Sequence, residues 1–309
     1  MIFKFPEQLM FIKNSKADQK HSIESMDGKL CVVSGATSGV GYEAVKALSA
    51  GRANIVMVVR NENKAKAVKE EIEKKYSVFV DYFIADFSDL KQVKKAAMAI
   101  LNRYQKIDIL INSVGIHSTK RILNKDGFEM AFCVNHLGTF LITQLLLDRM
   151  IESSPSRIIQ VNSEGHRFNG LDLNDLNWEK RIYTGLRSYG ASKTAQLLTV
   201  LQLAEELEGT NVTINAMHPG GVRTNIGNNN GRLYRWFLHN VTWHFLKDPK
   251  ISGEAIYYLA SASELSNVSG KFFNLTLEEK PAKHALDQKK QKKIWNLSLD
   301  MVGLTEKDV

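Results

Sequence analysis

Tyr189 and Lys193 stand four residues apart in Tyr189-Gly-Ala-Ser-Lys193, just ahead of the helix-forming run 194–203. Four residues turn an α-helix by about 400°, so the two side chains share one face, one turn apart. A free Tyr loses its proton near pH ~10, and a neighbouring ammonium favours the phenolate. The pair therefore indicates a general acid or base that works near neutral pH, although the same spacing also occurs in surface pairs.

The composition limits the number of domains and the kinds of partner that the protein can have. The chain has 309 residues, 44% of them hydrophobic, which suffices for one large domain or two modest ones. Its net charge of +8 is spread along the chain, so we expect no nucleic-acid partner. The one dense basic cluster is typical of a solvated helix face, and binding of an anionic ligand or a membrane surface to it is the alternative. This cluster comprises Lys289, Lys290, Lys292 and Lys293.

The two cysteines, Cys31 and Cys133, lie far apart in apolar surroundings, which is typical of small core residues in a reducing compartment. No Cys or His spacing resembles a metal site, so we expect no metal. The stretch Met1–Lys13 is too short and too charged for a signal peptide or a membrane span. These features predict a cytoplasmic protein, with peripheral membrane contact left open.

A strand, a glycine-rich turn and a helix follow one another near the start of the chain. Lys29–Ser34 is a short apolar run typical of a buried parallel strand, and Tyr42–Ala50 is helical in pattern. Between them lies Ser34-Gly-Ala-Thr-Ser-Gly-Val-Gly41. In this context the glycines predict a dinucleotide site, whereas alone they would indicate only a turn.

Each glycine of this turn has a separate predicted task. Gly35 allows the tight turn, Gly39 lets the backbone approach a pyrophosphate, and Gly41 lets the helix pack closely on the strand. The helix N-terminus offers unpaired N–H groups to the phosphate. The predicted cofactor contacts of the turn also include Thr37, Ser38 and Val40.

The end of the second strand bears on which cofactor is bound. Asn54–Val59 ends in Arg60, with no Asp or Glu where a free ribose 2′-hydroxyl is usually held. An Arg there suits a 2′-phosphate, so we expect NADP(H) rather than NAD(H). The alternative is that Arg60 only lies on a solvated strand end.

Apolar strands alternate with amphipathic helices through much of the chain, for example at 78–85, 90–104 and 107–111. This pattern predicts an α/β fold, a single-domain Rossmann-type doubly wound parallel sheet flanked by helices. Ligands of such sheets bind outside the carboxyl ends of the strands. The further candidate ligands at or just after strand ends are Asp86, Phe87, Asn112, Ser113, Val114, Gly115, Ser163, Pro219, Gly220, Val222 and Thr224.

The helix pattern over Phe128–Arg149 contains two polar side chains, Asn135 and His136, in apolar surroundings. A buried amide needs a partner, so Asn135 either satisfies a neighbouring backbone group or holds a water near the site. We interpret His136 as structural.

Two segments stand out from this α/β pattern. Residues 1–26 form a polar N-terminal extension, and 27–309 form the dinucleotide-binding and catalytic domain. Within this domain, the aromatic-rich stretch 224–248 is predicted to be a lid over an apolar substrate. The same stretch could instead dock a membrane surface or a second subunit.

Taken together, these residues resemble the short-chain dehydrogenase/reductase family over nearly all of 28–304. The turn Ser34–Gly41 is similar to the family's T-G-x-x-x-G-x-G motif, with Ser for Thr. The stretches 268–273 and 294–295 and the long interval from Ser163 to Tyr189 are more similar to the retinol dehydrogenase branch than to the bacterial ketoreductases. The other matching positions are Asp86, Phe87, Asn135, Lys193, Pro219 and Gly220.

The resemblance implies hydride transfer between a nicotinamide and a carbonyl or alcohol carbon of a small-molecule substrate. It implies that Tyr189 gives or takes the proton of the substrate oxygen and that Ser163 hydrogen-bonds this oxygen. It further implies that Lys193 lowers the pKa of the phenol and holds the nicotinamide ribose, and that Asn135 positions a water connecting Lys193 to solvent. A homo-oligomer, assembled through the helices that bear Asn135 and Tyr189, is also implied.

Two positions depart from the family pattern. Val114 stands where the family's N-N-A-G turn has Ala, and Met1–Met26 does not supply the membrane anchor typical of retinol dehydrogenases. A different class of function also stays open, namely a nucleotide-binding sensor or scaffold built on the same fold. The intact set of Ser163, Tyr189 and Lys193 favours the enzyme, because a sensor has no need of a proton donor.

Overall fold

The computed structural model describes residues 17–223 and 246–305. Within this part of the chain, eight strands form one sheet in the order β3-β2-β1-β4-β5-β6-β7-β8. The strands are β1 (Leu30–Ser34), β2 (Asn54–Val59), β3 (Val80–Ile84), β4 (Ile109–Asn112), β5 (Ser156–Val161), β6 (Val212–His218), β7 (Phe272–Asn274) and β8 (Leu277–Glu278). The helices are α1 (Gly39–Ala50), α2 (Glu62–Tyr76), α3 (Leu90–Arg103), α4 (Met130–Glu152), α5 (Gly185–Glu206), α6 (Lys250–Ser261) and α7 (Gln288–Val302).

Neighbouring strands run parallel from β3 across the sheet to β7, and β8 pairs antiparallel with β7. Successive side chains of a strand point to opposite faces of the sheet. Val32 of β1 therefore packs with α3, α4, α5 and α7, whereas Cys31 and Val33 pack with α1, α2 and α6. These two apolar cores confirm the predicted doubly wound α/β fold. Both cysteines, Cys31 and Cys133, are free and buried in the cores, as predicted.

The structure shifts several predicted boundaries. α1 begins at Gly39, inside the glycine turn, rather than at Tyr42. α5 begins at Gly185, where the Thr184 side chain accepts a hydrogen bond from the helix, so Tyr189 lies inside the helix with one full turn ahead of it. The sequence does not predict β8, because a strand of two residues is too short to show a period.

α4 is the central core helix, and it is not uniformly α-helical. Its first turn, Met130–Phe132, runs into a π-helical turn, Cys133–Leu137, before the α-helix continues from Gly138. Among the described residues, only α4 is long and apolar enough to cross a membrane, yet 89% of its apolar stretch is buried inside the fold. His136 Nε2 lies 2.7 Å from Oγ of Ser298 in α7, which confirms its structural interpretation.

The described part of the predicted N-terminal extension packs on the domain. Met26 is buried in the core beside α1 and α6. The Tyr257 hydroxyl of α6 donates a hydrogen bond to the Glu24 carbonyl. Residues 17–26 are therefore attached to the fold rather than separate from it.

Helices α1 and α6 cross closely on one face of the sheet. A Cβ added to Gly253 of α6 would lie 2.4 Å from the backbone oxygen of Glu43 in α1. Two heavy atoms cannot approach this closely, so the crossing requires a glycine at this position. Because α1 follows the glycine-rich turn, this contact also fixes the position of that turn.

We expect Gly253→Ala to lower the free energy of unfolding by about 1–3 kcal/mol, because overpacking outweighs the ~1 kcal/mol that alanine gains over glycine in a helix. Urea denaturation followed by tryptophan fluorescence measures this change. The matched control is Glu254→Ala at a partly exposed position of the same helix, which should change the stability by less than about 0.5 kcal/mol. A Gly253→Ala protein as stable as the wild type would contradict the close crossing.

Candidate active site

The glycine-rich turn lies between β1 and α1, against the end of β4. Gly35 has a φ of +72°, which favours glycine, and a Cβ there would come within 3.1 Å of the Ser113 backbone. A Cβ on Gly41 would lie 2.4 Å from the Gly35 oxygen, so α1 packs closely on the turn. The tight turn predicted at Gly35 and the close packing predicted at Gly41 are both present. Gly39 also has a positive φ, +56°.

The first turn of α1 is open to an anion. Its N-cap, Ser38, is exposed and makes no side-chain hydrogen bond to the helix, and this first turn carries no acidic residue. The first N–H groups of a helix lack partners within the helix and attract anions. Together with the bare glycine backbone, this arrangement fits the pyrophosphate of a dinucleotide. Of the other predicted contacts, Thr37 and Gly115 are partly exposed and Val40 is buried.

Arg60 and Asp86 follow β2 and β3, at the same edge of the sheet as the glycine turn. Arg60 is exposed. Asp86 Oδ1 accepts hydrogen bonds from the backbone nitrogen and the hydroxyl of Ser88, at 2.8 and 2.7 Å. Phe87 is buried with its ring against Gly138. Of these three predicted cofactor residues, Arg60 has the side chain most available to a ligand and Phe87 the least.

The end of β4 is tied to its neighbours through polar bonds. Asn112 is buried, and its Nδ2 donates to Oγ1 of Thr143 in α4 at 2.7 Å. The Ser113 backbone nitrogen donates to Oγ of Ser34 at 3.2 Å, which holds β4 to the end of β1. Val114 packs against the core, so its larger side chain is accommodated there. The predicted ligand Asn112 therefore directs its side chain to α4 rather than to the open edge.

The turn after β6 completes the described edge of the site. The Pro219 carbonyl accepts a hydrogen bond from the Ser252 hydroxyl at 2.6 Å. Gly220 has a φ of +84°, and Val222 is buried. The remaining predicted ligand of this turn, Thr224, lies outside the described residues, as does nearly all of the predicted lid.

Asn135 is buried in the π-helical turn of α4 and clamps the loop that follows β4. Its Oδ1 accepts from the Ile116 backbone nitrogen at 2.7 Å, and its Nδ2 donates to the Ile116 carbonyl at 3.0 Å. Nδ2 also donates to Oγ of Ser192 in α5 at 2.9 Å. The first of the two sequence-based alternatives is confirmed, because the amide satisfies a neighbouring backbone group.

Ser163 and Tyr189 come together from the end of β5 and from α5. Ser163 caps the short 3-10 helix Glu164–Phe168, and its Oγ accepts from the Gly165 nitrogen at 3.0 Å. A Cβ on Gly165 would lie 2.8 Å from Cε1 of Tyr189, so the ring packs directly on this backbone. The same Cβ would lie 3.3 Å from Oγ of Ser163, and the Ser163 hydroxyl lowers the pKa of the Tyr189 phenol. The two predicted side chains therefore lie side by side.

Lys193 is deeply buried beside them. It is 2% exposed, and its Nζ lies 5.9 Å from the centroid of the Tyr189 ring. Nζ donates to the Val161 carbonyl at 2.9 Å and to Oε1 of Gln196 at 3.1 Å. Burial lowers the pKa of the Lys193 ammonium to about 7, because desolvation disfavours the charged form.

The pKa of Tyr189 moves in the direction opposite to the one that the sequence predicts. Burial raises this pKa, and the neighbouring Ser163 hydroxyl offsets only part of the increase. The reason is that Tyr189 is half-buried beside the buried Lys193, and this surrounding protein disfavours the phenolate as well as the ammonium. The spacing of the two residues indicates their mutual attraction, but it carries no information about burial.

Two residues that the sequence analysis missed hold this group in place. Asn162 Oδ1 accepts from the Ser163 backbone nitrogen at 2.8 Å, and its Nδ2 donates to Oε1 of Gln196 at 2.9 Å. Gln196 stands three residues after Lys193, a helical spacing that brings the two side chains to the same face. That spacing is the signal by which the sequence could have identified Gln196.

A buried ion cluster anchors the turn that follows Ser163. Arg167 contacts the carboxylates of both Glu164 and Glu279, and it donates to the Lys280 carbonyl at 2.9 Å. Burial raises the pKa of Glu164 to about 7, and the charge of Glu279 adds to this increase, because one guanidinium serves two carboxylates. The sequence contains no local signal for the cluster, since Glu279 lies far along the chain.

The raised pKa of Glu164 predicts a pH-dependent stability. Its carboxyl titrates near 7 when folded and near its ordinary 4.5 when unfolded, so the folded state binds the proton more tightly between these values. Stability therefore falls as the pH rises through this window. Relative to Glu164→Gln, the wild type should lose roughly 1–3 kcal/mol of unfolding free energy between about pH 5 and pH 7.

Urea denaturation of both proteins at each pH measures this difference, and titrating groups that do not interact with Glu164 cancel in the comparison. Glu152→Gln is the matched control, because Glu152 pairs with Arg149 at the surface with 68% of its side chain exposed. Its stability should run parallel to that of the wild type. Parallel curves for Glu164→Gln as well would contradict the raised pKa.

The sequence profile described as short chain dehydrogenase matches residues 29–233 of the chain. Retinol dehydrogenase 13 of Homo sapiens is 36% identical over 285 residues, which cover 91% of this chain and 86% of that protein. Retinol dehydrogenase 14 of Homo sapiens is 35% identical over 295 residues, covering 90% and 88% of the two chains.

Solved structures share the fold. The crystal structure of an uncharacterized protein from Mycobacterium Paratuberculosis has a TM-score of 0.75 at 26% sequence identity, covering 93% of this chain and 98% of that one. A short chain dehydrogenase from Shigella flexneri, complexed with NADP, has a TM-score of 0.67 at 21% identity, covering 82% and 99%. The chain therefore belongs to the short-chain dehydrogenase family of oxidoreductases, which bind NAD(P).

Proposed function

We propose that the chain transfers a hydride between NADP(H) and the carbonyl or alcohol of a small apolar molecule, with Tyr189 as general acid or base. The observation that carries this proposal is the meeting of Ser163, Tyr189 and Lys193 at the end of β5, on the same edge of the sheet as the glycine-rich turn. A reacting oxygen next to both hydroxyls would receive a proton from one and a hydrogen bond from the other.

In the reducing direction the substrate carbon gains a hydride and its oxygen gains a proton. The nicotinamide, when bound, supplies the hydride. Tyr189 donates the proton to the carbonyl oxygen, while Ser163 hydrogen-bonds that oxygen and orients it. Lys193 places a positive charge near the phenolate that remains, and Tyr189 then recovers a proton from solvent. The oxidising direction reverses each of these steps.

The environment of Arg60 supports NADP(H). Arg60 is exposed at the end of β2, the strand that pairs with β1. The next residue, Asn61, uses its side chain to cap α2, and the following acid, Glu62, pairs with Lys66 at 2.9 Å. The strand end therefore presents a cation where a ribose 2′-phosphate would lie, and the nearest carboxylate is engaged in α2.

Exposed apolar side chains support an apolar substrate. Phe168, Ile182 and Leu186 lie between Ser163 and Tyr189 in sequence and are 50%, 80% and 56% exposed. The curated relatives are named for retinol, an apolar alcohol. We therefore propose a retinal-, steroid- or lipid-aldehyde-like carbonyl as the substrate class.

The first test is Tyr189→Phe. We expect this variant to lower kcat by about 10²–10⁴-fold, since it removes the proton donor. The affinity for NADPH, followed by the fluorescence of the bound nucleotide, should change little. Oxidation of NADPH against a panel of apolar aldehydes and ketones gives the rates.

Tyr258→Phe is the matched control, because its buried phenol bonds Glu264 at 2.9 Å and takes no part in the site. It should keep the wild-type rate. Turnover that persists in Tyr189→Phe would refute the role of Tyr189. Tight NADPH binding without turnover on any carbonyl would favour a nucleotide-binding sensor.

The second test addresses the cofactor. We expect Arg60→Ala to weaken NADPH binding by roughly 10–100-fold and to leave NADH binding nearly unchanged, since only the 2′-phosphate contact is lost. Arg52→Ala is the control, because Arg52 is exposed at the opposite end of β2 and pairs with Asp27 at 3.4 Å. A wild-type protein that binds NADH more tightly than NADPH would overturn the preference.

A further inference from the structure

The hydrogen bonds of the candidate catalytic residues meet at the side-chain amide of Gln196. Its Oε1 accepts from Lys193 Nζ at 3.1 Å and from Asn162 Nδ2 at 2.9 Å. Its Nε2 donates to the Asn135 carbonyl at 2.7 Å and faces Oγ1 of Thr139 at 3.4 Å. Gln196 is buried, so these bonds are made away from solvent.

The neighbours determine which way this amide points. An ammonium has only protons to give, and a backbone carbonyl has only lone pairs. The Gln196 oxygen must therefore face Lys193, and its nitrogen must face Asn135. A reversed amide would set donor against donor at Lys193 and acceptor against acceptor at Asn135, which is costly in a buried site.

The Asn135 carbonyl is fully used by protein groups. It accepts from Nε2 of Gln196 at 2.7 Å and from Oγ1 of Thr139 at 2.8 Å. A carbonyl oxygen has two lone pairs, and both are taken here. The Asn135 side chain is in turn bonded to Ile116. The amide of Gln196 thus forms a direct link between Lys193 and Asn135, at the place where the family resemblance implies a water.

We propose, building on the proposed function, that Gln196 is a positioning residue that keeps the Lys193 ammonium charged and oriented for catalysis. An ammonium has three N–H groups. The Val161 carbonyl takes one and Gln196 takes a second. The third is left for Tyr189 and a bound ribose. The bond from Asn162 to Gln196 couples this arrangement to the Ser163 backbone.

The charged form of Lys193 depends on neutral acceptors. Among the described residues that contact Nζ, Tyr189 is the titratable group, whereas the Val161 carbonyl of β5 and the Gln196 amide of α5 are neutral acceptors. Burial already lowers the pKa of Lys193 to about 7. Loss of the Gln196 oxygen should lower it further, and a carboxylate at position 196 should raise it.

Two substitutions test the proposal. Gln196→Leu removes both hydrogen-bonding ends of the amide, and Gln196→Glu keeps an acceptor while adding a negative charge. The matched control is Gln202→Leu, the same replacement further along α5, where the buried Gln202 bonds Glu206 and Gln291. The first readout is kcat against pH with NADPH and a carbonyl substrate.

The second readout is independent of turnover. It is the titration of Lys193 in the protein without cofactor, followed by NMR of ¹³Cε-labelled lysines, with Lys193→Arg to identify the resonance. This readout separates the two proposals. A wild-type protein without turnover on any carbonyl would refute the proposed function, and the titration would still judge the contact between Gln196 and Lys193.

In the reducing direction, activity should fall as the pH rises through the pKa of Lys193. We expect Gln196→Leu to lower kcat by about 10–100-fold and to move this fall to lower pH. Gln196→Glu should move it to higher pH, with the NMR pKa of Lys193 moving in the same direction in each variant. Gln202→Leu should match the wild type in both readouts.

Wild-type pH profiles and an unmoved Lys193 pKa in both Gln196 variants would overturn the inference. A loss of kcat in Gln196→Leu with no change of pH profile or titration would also overturn it, since a structural defect alone has that result. If Gln196→Leu does not fold, Gln196→Glu alone tests the inference through the same pH profile and Lys193 titration. This variant retains the shape of the side chain and the acceptor oxygen that faces Lys193.

Discussion

An ammonium removed from water keeps its proton only where acceptors or opposite charges offset its lost hydration. Lys193 obtains them from two elements, the Val161 carbonyl at the end of β5 and the Gln196 side chain on α5. Its charge therefore ties the helix to the sheet at the edge where the strands end. Asn162 makes the same connection from the opposite side, by donating to the Lys193 carbonyl and to Gln196. The site is built around the need to satisfy this one buried cation.

Apolar packing cannot by itself orient such a site, because the hydrophobic effect has no direction. The two cores determine which helices lie on which face of the sheet. The orientation of the polar groups comes from hydrogen bonds made at fixed angles. Asn135 holds the loop after β4 through the Ile116 backbone, and Arg167 holds the turn after Ser163 through two carboxylates. The contacts that orient the site are therefore buried polar contacts.

The parts of the structure that depend on local pattern could be predicted from the sequence. Gly35 and Gly41 are required by the backbone at fixed positions of the turn, so their positions predict the turn. The helical spacing of Tyr189 and Lys193 likewise predicts that they share one face. The properties that depend on burial, such as pKa shifts, could not be predicted, because the same residues on a surface would titrate normally. The direction of the pKa shift at Tyr189 belongs to this class. So does the pairing of Arg167 with Glu279, whose partners meet only after the chain folds.

The direction of these shifts bears on how the site would serve the two directions of hydride transfer. Burial keeps the proton on Tyr189, which is the form that reduction of a carbonyl needs. Oxidation needs the phenolate, which a nearby positive charge favours. An oxidised nicotinamide carries one positive charge and a reduced one carries none. In the oxidising direction, the cofactor that this direction consumes would therefore add its own positive charge to that of Lys193.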